Sequence, residues 1–387
     1  MSLHYAFTFD TVGTGQIDDT ASGGGLFLLR SGWYYYEGHG GCDADLISAS
    51  RQPIIGYGGS YRALRLEGYN GGIVNQCFLY SPSPSFSLLT DGIFQFHTKT
   101  STYGYDTAGR QFLYLRSGPT DVLRLNYVSD GRIQIYYWNA SSWVYCLTTT
   151  DLALRNDWHT IAIRLKTHET EGIIGISIDG GTPKIETDLA MNHALGWERY
   201  CFMSDDLSYT YRYFAQISVF TDTSDEMLAT QKWVTQLRPT ADATAPDDDW
   251  DGSSTITPNL YQDVNNLDSD SEYCTTLVQD AEIRFNPNYT ETPANGGIEP
   301  SGETWEPPVI DGVVVNAIMR GDGTLNQGQT VVSGESGVDA DYGDLTTLSG
   351  DAKLITHELF ITHPETGLAW EKADLTGTET EFGVKAS

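Results

Sequence analysis

The sequence predicts an all-β fold divided into two β domains, and three observations point there. Residues that suit a pleated, half-buried surface are abundant, with 23 Tyr, 14 Phe and 9 Trp in 387 residues. Apolar and polar residues alternate one by one in many short runs, the period of a strand with one buried face. Those runs are separated by turn residues, drawn from 40 Gly and 14 Pro.

In chain order, His4–Asp10 opens with Tyr5, Phe7 and Phe9 on one face of a strand. Leu26–Leu29 reads as a strand after a Gly-Gly-Gly turn. Ser85–Lys99 reads as a strand pair or one interrupted strand, with Asp91-Gly92 as its punctuation. Phe112–Leu115, Leu123–Val128 and Ile133–Trp138 are short strands, the last two joined at Ser129-Asp130-Gly131 as a hairpin. Trp143–Leu147 follows across Asn139-Ala140-Ser141. Asn156–Lys184 is the most regular stretch. Trp158, Ile161, Ile163 and Leu165 form one apolar set, and Ile174, Ile176 and Ile178 form the next. Thr167–Glu171 is a polar turn between them, and Asp179-Gly180-Gly181 a tight turn after them.

Ser224–Leu237 is the one helix expected, capped by Ser224 and stopped by Pro239. Two stretches poor in apolar residues follow, Thr240–Ser254 and 286–308, both of which break regular structure. They divide the chain into a front domain over 1–238, an acidic Pro/Gly-rich linker with irregular or short β segments over 239–305, and a smaller β domain over 306–387. In the rear domain Val309–Ile318 is the clearest strand, and Thr330–Ser333, Ile355–Ile361 and Glu381–Val384 are later β runs. There is no internal repeat and no heptad pattern.

Two resemblances refine this outline. Trp158-His159-Thr160-Ile161-Ala162 and Ile176-Ser177-Ile178-Asp179-Gly180 resemble the paired strands of the laminin-G/concanavalin-like jelly-roll family. Phe86–Phe96 resembles an earlier strand of that family and Phe214–Phe220 its closing strand, so the resemblance spans about residues 1–222. It implies a jelly-roll sandwich. The rear segment resembles a C-terminal module of tailed-bacteriophage structural proteins through Val313-Val314-Val315-Asn316-Ala317, His363-Pro364-Glu365-Thr366-Gly367-Leu368-Ala369-Trp370 and Glu381-Phe382-Gly383-Val384-Lys385. It departs at His363, where Asp is commoner. This resemblance implies a place in a virion and a smaller C-terminal β-sandwich.

Charge narrows the function classes. The formal net charge is −30. Residues 1–240 carry 24 acidic and 17 basic side chains, a net of −7, and the remainder carry 28 and 5, a net of −23. Such a field repels phosphate backbones and argues against a nucleic-acid partner. No apolar run approaches the length of a membrane helix, and MSLHYAFTFD has neither the basic nor the apolar region of a signal peptide. The five cysteines, Cys42, Cys77, Cys146, Cys201 and Cys274, are widely spaced with no C-x-x-C pair, so five free thiols are expected in a chain made in a host cytoplasm.

Catalytic signals are weak. A glycosidase carboxylate pair should sit on one face of a strand. Of the seven glutamates in the front domain only Glu169 and Glu171 have the spacing, and they fall in a polar turn. His357-Glu358 lacks the second histidine of a zinc helix, and His159 reads as a rim or core histidine. Asp247–Gly252 could form a calcium loop but lacks the spacing of an EF-hand, and reads as a solvated acidic linker. No enzyme is expected.

The candidate ligand-binding residues are aromatic: Trp33, Tyr34 and Tyr36 in an early strand, and Tyr209, Tyr211 and Tyr213 before Phe214. Flat rings with a polar edge suit sugar rings or a partner surface, and packing within the fold is the competing explanation. Asp205 and Asp206 are the candidate metal residues, through the calcium sites that laminin-G domains carry on a loop rim. No cofactor is called for, with calcium the one ion left open. The combined expectation is a virion structural protein on the tail or capsid exterior, anchored by its rear domain. Its expected partners are other virion proteins, further copies of itself, with a trimer favoured, and a host surface glycan. A ligand-free decoration protein and a polysaccharide-cleaving virion enzyme are the alternatives.

Overall fold

The computed structural model describes residues 3–7, 9, 15–17, 28–37, 43–49, 61–68, 75–101, 110–128, 130–154, 156–191, 196–206, 210–232, 239–243, 250–252, 274–287, 310–321, 325–334, 340–356, 359–371, 373–375 and 380–387. The fold is all-β. It forms two compact units, one drawing on the first 234 residues and one on the chain from 235 onward.

The front unit is a jelly-roll sandwich, with sixteen strands among the described residues. They are β1 (Leu3–Phe7), β2 (Gly15–Gln16), β3 (Tyr34–Glu37), β4 (Asp43–Ala49), β5 (Tyr61–Gly68), β6 (Asn75–Tyr80), β7 (Asp91–Thr100), β8 (Arg110–Ser117), β9 (Thr120–Tyr127), β10 (Ile133–Trp138), β11 (Trp143–Thr148), β12 (Trp158–Lys166), β13 (Gly172–Ile178), β14 (Lys184–Leu189), β15 (Arg199–Asp206) and β16 (Thr210–Phe220). One sheet runs β14-β13-β12-β7-β16-β5-β4-β2, with β1 also on β16, and the other runs β11-β10-β9-β8-β15-β6-β3. The described pairings are antiparallel.

Alternation aims one set of side chains from each sheet into a shared aromatic core. Phe94 and Phe96 of β7 meet Tyr200 and Phe202 of β15, and Phe202 stacks on Phe214 of β16 at 4.2 Å. Phe7 and Phe9 close one end against Trp33. Losing one such ring to alanine typically costs about 3–5 kcal/mol.

The Trp-His and Asp-Gly segments are joined by a specific lock. β12 and β13 pair from Ile161 opposite Ile178 to Lys166 opposite Ile173. At the open end of this hairpin His159 Nδ1 lies 2.6 Å from Asp179 Oδ2, the Thr160 amide donates to Asp179 Oδ1 at 2.8 Å, and the Asp179 amide donates to the Thr160 carbonyl at 2.8 Å. Asp179 and Gly180 both have positive φ, 54° and 70°, as the tight turn requires. Burial disfavours charge on His159, but the bond and charge of Asp179 outweigh it and hold its pKa above the ordinary histidine value.

Three elements differ from expectation. Leu28–Arg30 is a helical turn rather than part of a strand, with Ser31 and Trp33 amides donating to the Leu28 carbonyl. Asp91-Gly92 is the start of β7 rather than a turn. A Cβ there would come within 3.0–3.2 Å of Leu89, the Phe220 carbonyl and Trp197, tighter than ordinary contact. The expected helix over Ser224–Leu237 spans only Asp225–Leu228, with Ser224 Oγ accepting from the Met227 amide. Gln95 of β7 ends it by binding the Thr230 carbonyl and the Lys232 amide, both at 3.1 Å, which draws the chain flat across the sheet. Trp233 and Leu237 lie outside the described residues.

The rear unit contains a six-stranded sheet of β17 (Pro239–Asp242), β20 (Glu282–Pro287), β26 (Thr380–Ala386), β22 (Gln327–Gly334) and β23 (Asp341–Tyr342), with β24 (Thr346–Thr347) also on β22. Two small ribbons accompany it, β18 (Asp251–Gly252) with β19 (Cys274–Thr275) and β21 (Asn316–Met319) with β25 (Lys353–Thr356). Thus the rear sheet begins well before residue 306. Strands β17 and β20, from the stretch expected as a linker, complete it, because β26 needs a partner on each edge. Val332, Phe360, Trp370 and Leu375 form its core with Val313, Val315 and Phe382 against them. The expected strand Val309–Ile318 is shorter: Val313 makes a single bridge to Phe360, and regular pairing begins at Asn316. Trp370 Nε1 donates to the Phe360 carbonyl at 2.7 Å while His363 packs edge-on to its ring. Gly383 cannot carry a side chain, since a Cβ would collide with the Ile283 carbonyl.

Candidate functional site

The outer face of the seven-stranded sheet is where unusual chemistry collects. Inward positions of β8, β9 and β10 are apolar, as Leu113, Leu115, Leu123, Leu125, Ile133 and Ile135 show. Among the alternate positions, which polar residues ordinarily fill, are several rings and guanidinium groups, Tyr114, Arg116, Arg124, Tyr136 and Trp138.

One cluster lies on β8–β11. Arg124 of β9 lies over the Tyr136 ring and over the Trp143 ring, each centroid 4.6 Å from its guanidinium carbon. Trp143 meets Trp138 across the β10–β11 hairpin at 5.6 Å, Tyr136 meets Tyr145 at 5.7 Å, and Tyr114 of β8 approaches Trp143 at 6.0 Å. The hairpin is set by Asn139, whose side-chain oxygen accepts from the Ser141 and Ser142 amides, and by Ala140 at φ 73°. Arg124 forms no ion pair among the described residues, and its Nε is buried without a hydrogen-bond partner.

The second cluster lies on β3, β6, β15 and β8. Tyr34 packs on Tyr80 and Tyr36 on Phe78, while Phe78 and Tyr80 stack at 5.8 Å with planes 12° apart. Arg116 lies over Tyr80 at 4.8 Å, and Arg199 lies over the same ring at 5.7 Å. Arg116 and Arg199 are directly opposite each other across β8 and β15. Like charges so placed repel. Arg116 is answered by Asp121 at 2.5 Å and the Pro119 carbonyl, and Arg199 by the Ser81 carbonyl at 2.7 Å. Burial and then the Arg116 charge pull Arg199 below the ordinary arginine pKa. Tyr114 and Arg116, two residues apart on β8, belong one to each cluster.

The residues singled out in the sequence divide between the two sides of the sandwich. Tyr34 and Tyr36 are 58% and 46% exposed and belong to this face. Trp33 is 5% exposed and does not: strand alternation turns it inward, against Phe7, Phe9 and Tyr200. Tyr211 and Tyr213 are half-buried on the outer side of the other sheet, beside Arg65 and Trp158. Tyr209 lies outside the described residues. Asp205 and Asp206 end β15 opposite Gln76 and Asn75, with their side chains outside the described set. Among the described residues no group of three His, Cys, Asp or Glu is placed to hold a metal ion.

Sequence reasoning missed Arg124, Tyr136, Trp138, Trp143 and Tyr145. The available signal was the phase of Ile133–Trp138: Ile133, Ile135 and Tyr137 take the inward positions, which leaves Tyr136 and Trp138 outward. Glu169 and Glu171 sit in the exposed β12–β13 turn. Cys146 and Cys201 are free, and Cys42 lies outside the described residues.

No family model and no curated protein matches the chain. Solved structures with a similar course include an alginate lyase from Chlorella virus, 9% identical, over 50% of this chain and 96% of that one, at a TM-score of 0.35. A carbohydrate esterase from a Shiga toxin-encoding bacteriophage is 16% identical over 56% and 98% of the two chains, at 0.34. The binding domain of botulinum neurotoxin serotype C1 is 10% identical over 97% and 98%, at 0.35. Likeness at this level carries no argument about activity.

Proposed function

We propose that this chain is a structural protein on the exterior of a tailed-phage particle, on tail or capsid, and that its front unit binds host glycan without cleaving it. The glycan-binding reading is carried by one observation, the aromatic outer face of the seven-stranded sheet, where Tyr34, Tyr36 and Tyr145 remain exposed. Rings that lie flat on a strand surface bury the apolar face of a sugar while leaving polar edges free to hydrogen-bond. The placement on a particle is supported by the order of the rear motifs around Val313–Ala317, His363–Trp370 and Glu381–Lys385. Assembly into a homo-oligomer, with three copies favoured, and a calcium ion near Asp205 and Asp206 belong to the same proposal.

The test is to pass full-length protein over immobilised host-cell polysaccharide while assaying the eluate for new reducing ends. Retention without release is expected, and Trp138→Ala is expected to weaken it. Retention untouched by Trp138→Ala, or absent for every polysaccharide, would overturn the reading, and released reducing ends would make the protein an enzyme. Antibody labelling of purified particles tests the placement, which fails if they carry no label.

A further inference from the structure

We propose that the glycan taken by this face is acidic, and that its carboxylate is received by Arg124 beside Tyr136 and Trp143. The proposal rests on the glycan-binding reading above and names the chemical class of the ligand.

Arg124 is the best-prepared group on the face. Two rings lie 4.6 Å from its guanidinium carbon, which restrains the group and its polar edge. That edge is a fork of donors matched to a carboxylate. No carboxylate of the described chain occupies it, since Arg124 makes no ion pair there, and its Nε lacks a partner. Arg65, on the outer side of the other sheet, shows the ordinary solution. It too lies over a tyrosine, Tyr211 at 5.1 Å, but it is neutralised by an ion pair with Asp45.

The neighbouring cluster adds to the same sign. Arg116 and Arg199 face each other beside Tyr80, and Asp121 is ion-paired to Arg116. Among the described side chains of the two clusters, three guanidinium groups therefore meet two carboxylates, Asp121 and the Glu198 side chain that accepts from the Gly118 amide. This excess stands in a chain of net charge −30. A chain so acidic repels polyanions in general, so one that it holds must be held by a built site.

The experiment measures binding of the full chain to polygalacturonate, hyaluronan and polysialic acid, each paired with its carboxyl-esterified, uncharged form. At least one acid polymer should bind, with its ester about tenfold weaker, the size of a charged hydrogen bond lost. Arg124→Gln should weaken the acid polymer by a similar factor and leave the ester unchanged. Because Arg124 also packs two rings, Asp121→Asn is the second variant; it removes an opposing carboxylate and should tighten acid binding. Arg132→Gln, an exposed arginine paired with Asp130 in the β9–β10 turn, should change nothing. Esters bound as tightly as acids would overturn the acidic class and leave glycan binding standing. Failure of every polysaccharide, acidic or neutral, would overturn glycan binding itself. Sedimentation that shows oligomers dispersed by Arg124→Gln would assign the face to a second copy of the chain and overturn the proposal.

Discussion

The two outer faces of the front sandwich are built to opposite ends. On the nine-stranded sheet the central outward positions are small or polar, among them Gln95, His97, Thr160, Ala162, Ser177 and Ser218, and all are buried. The chain after β16 covers them: Leu228 lies where a Cβ on Gly175 would come within 2.8 Å of it, and Gln95 holds the backbone of Thr230 and Lys232. On the seven-stranded sheet many outward positions carry large rings, and Tyr34, Tyr36 and Tyr145 stay about half exposed. The core between the sheets needs neither arrangement. Small residues belong where the chain seals its own sheet, and large rings left facing water mark the side that meets something else.

Removing the seal tests this contrast most strongly. Leu228 is fully buried although it sits on a helix of only four residues. Leu228→Ala should cost about 2–5 kcal/mol, the usual range for a buried leucine. Chemical denaturation followed by tryptophan fluorescence gives the value, and a cost below about 0.5 kcal/mol, typical of a surface position, would mean that this segment does not seal the sheet.

The sealed face should also be the acid-sensitive one. Burial pushes the pKa of His97 down to about 4. A histidine depressed when folded stabilises the fold above its unfolded pKa of about 6.5, and that stability is lost as pH falls from there toward 4. The loss is on the order of 3 kcal/mol, at about 1.4 kcal/mol per unit. His159 acts in the other direction. Its raised pKa makes the Asp179 lock fully effective below about 6.5 and weaker as pH rises through the folded value. His97→Gln should therefore flatten the decline in stability below pH 6.5, and an unchanged acid limb would place the sensitivity elsewhere.

Much of the sandwich was legible because it is local. The β12–β13 and β9–β10 hairpins follow from alternation and from turn residues a few positions apart, and the structure pairs Ile161 with Ile178 and Ile133 with Tyr127 accordingly. What failed was set by distant partners. Gly92 looked like a turn because nothing nearby announces Trp197, which packs close against it. The helix after Ser224 looked long because its apolar spacing continues, and Gln95, 135 residues away from Thr230, is what ends it. The site was half legible for the same reason. Tyr34, Tyr36, Tyr211 and Tyr213 were visible as aromatic runs, but only the strand order reveals that they lie on opposite sheets. Arg124 and Trp143 are 19 positions apart and meet only because β8–β11 pair in sequence.

A smaller effect separates binding from folding on the bare face. Trp143 supplies one of the two rings around Arg124 and the edge contact to Trp138. A cation–ring contact at a partly exposed site is worth about 0.5–1 kcal/mol, and a ring pair about 0.5–1.5 kcal/mol. Trp143→Ala should thus lower stability by about 1–2 kcal/mol on these contacts and abolish polysaccharide retention, a split that Leu228→Ala should reverse. Loss of stability with retention intact would remove Trp143 from the binding surface.

The smallest expected effect is the sharpest on what the exposed rings are for. Tyr34 is 58% exposed and touches Tyr80 only at a tilted 5.9 Å. If the aromatic face existed to hold the sheet together, Tyr34→Ala should cost as much as a ring pair with its buried area, well above 1 kcal/mol. If the ring is there for a ligand, its removal should change stability by no more than about 0.5 kcal/mol, as at ordinary surface positions. The second outcome is expected, because β3 is an edge strand whose register is fixed by its backbone pairing to β6, from Tyr34 opposite Tyr80 to Glu37 opposite Cys77. Trp33, one residue earlier and turned into the core, provides the internal standard: Trp33→Ala should cost about 3–5 kcal/mol. Adjacent aromatic residues would then differ severalfold in their contribution to folding, decided by which way the strand aims them, and equal costs for the two would end the distinction between a bare face and a core.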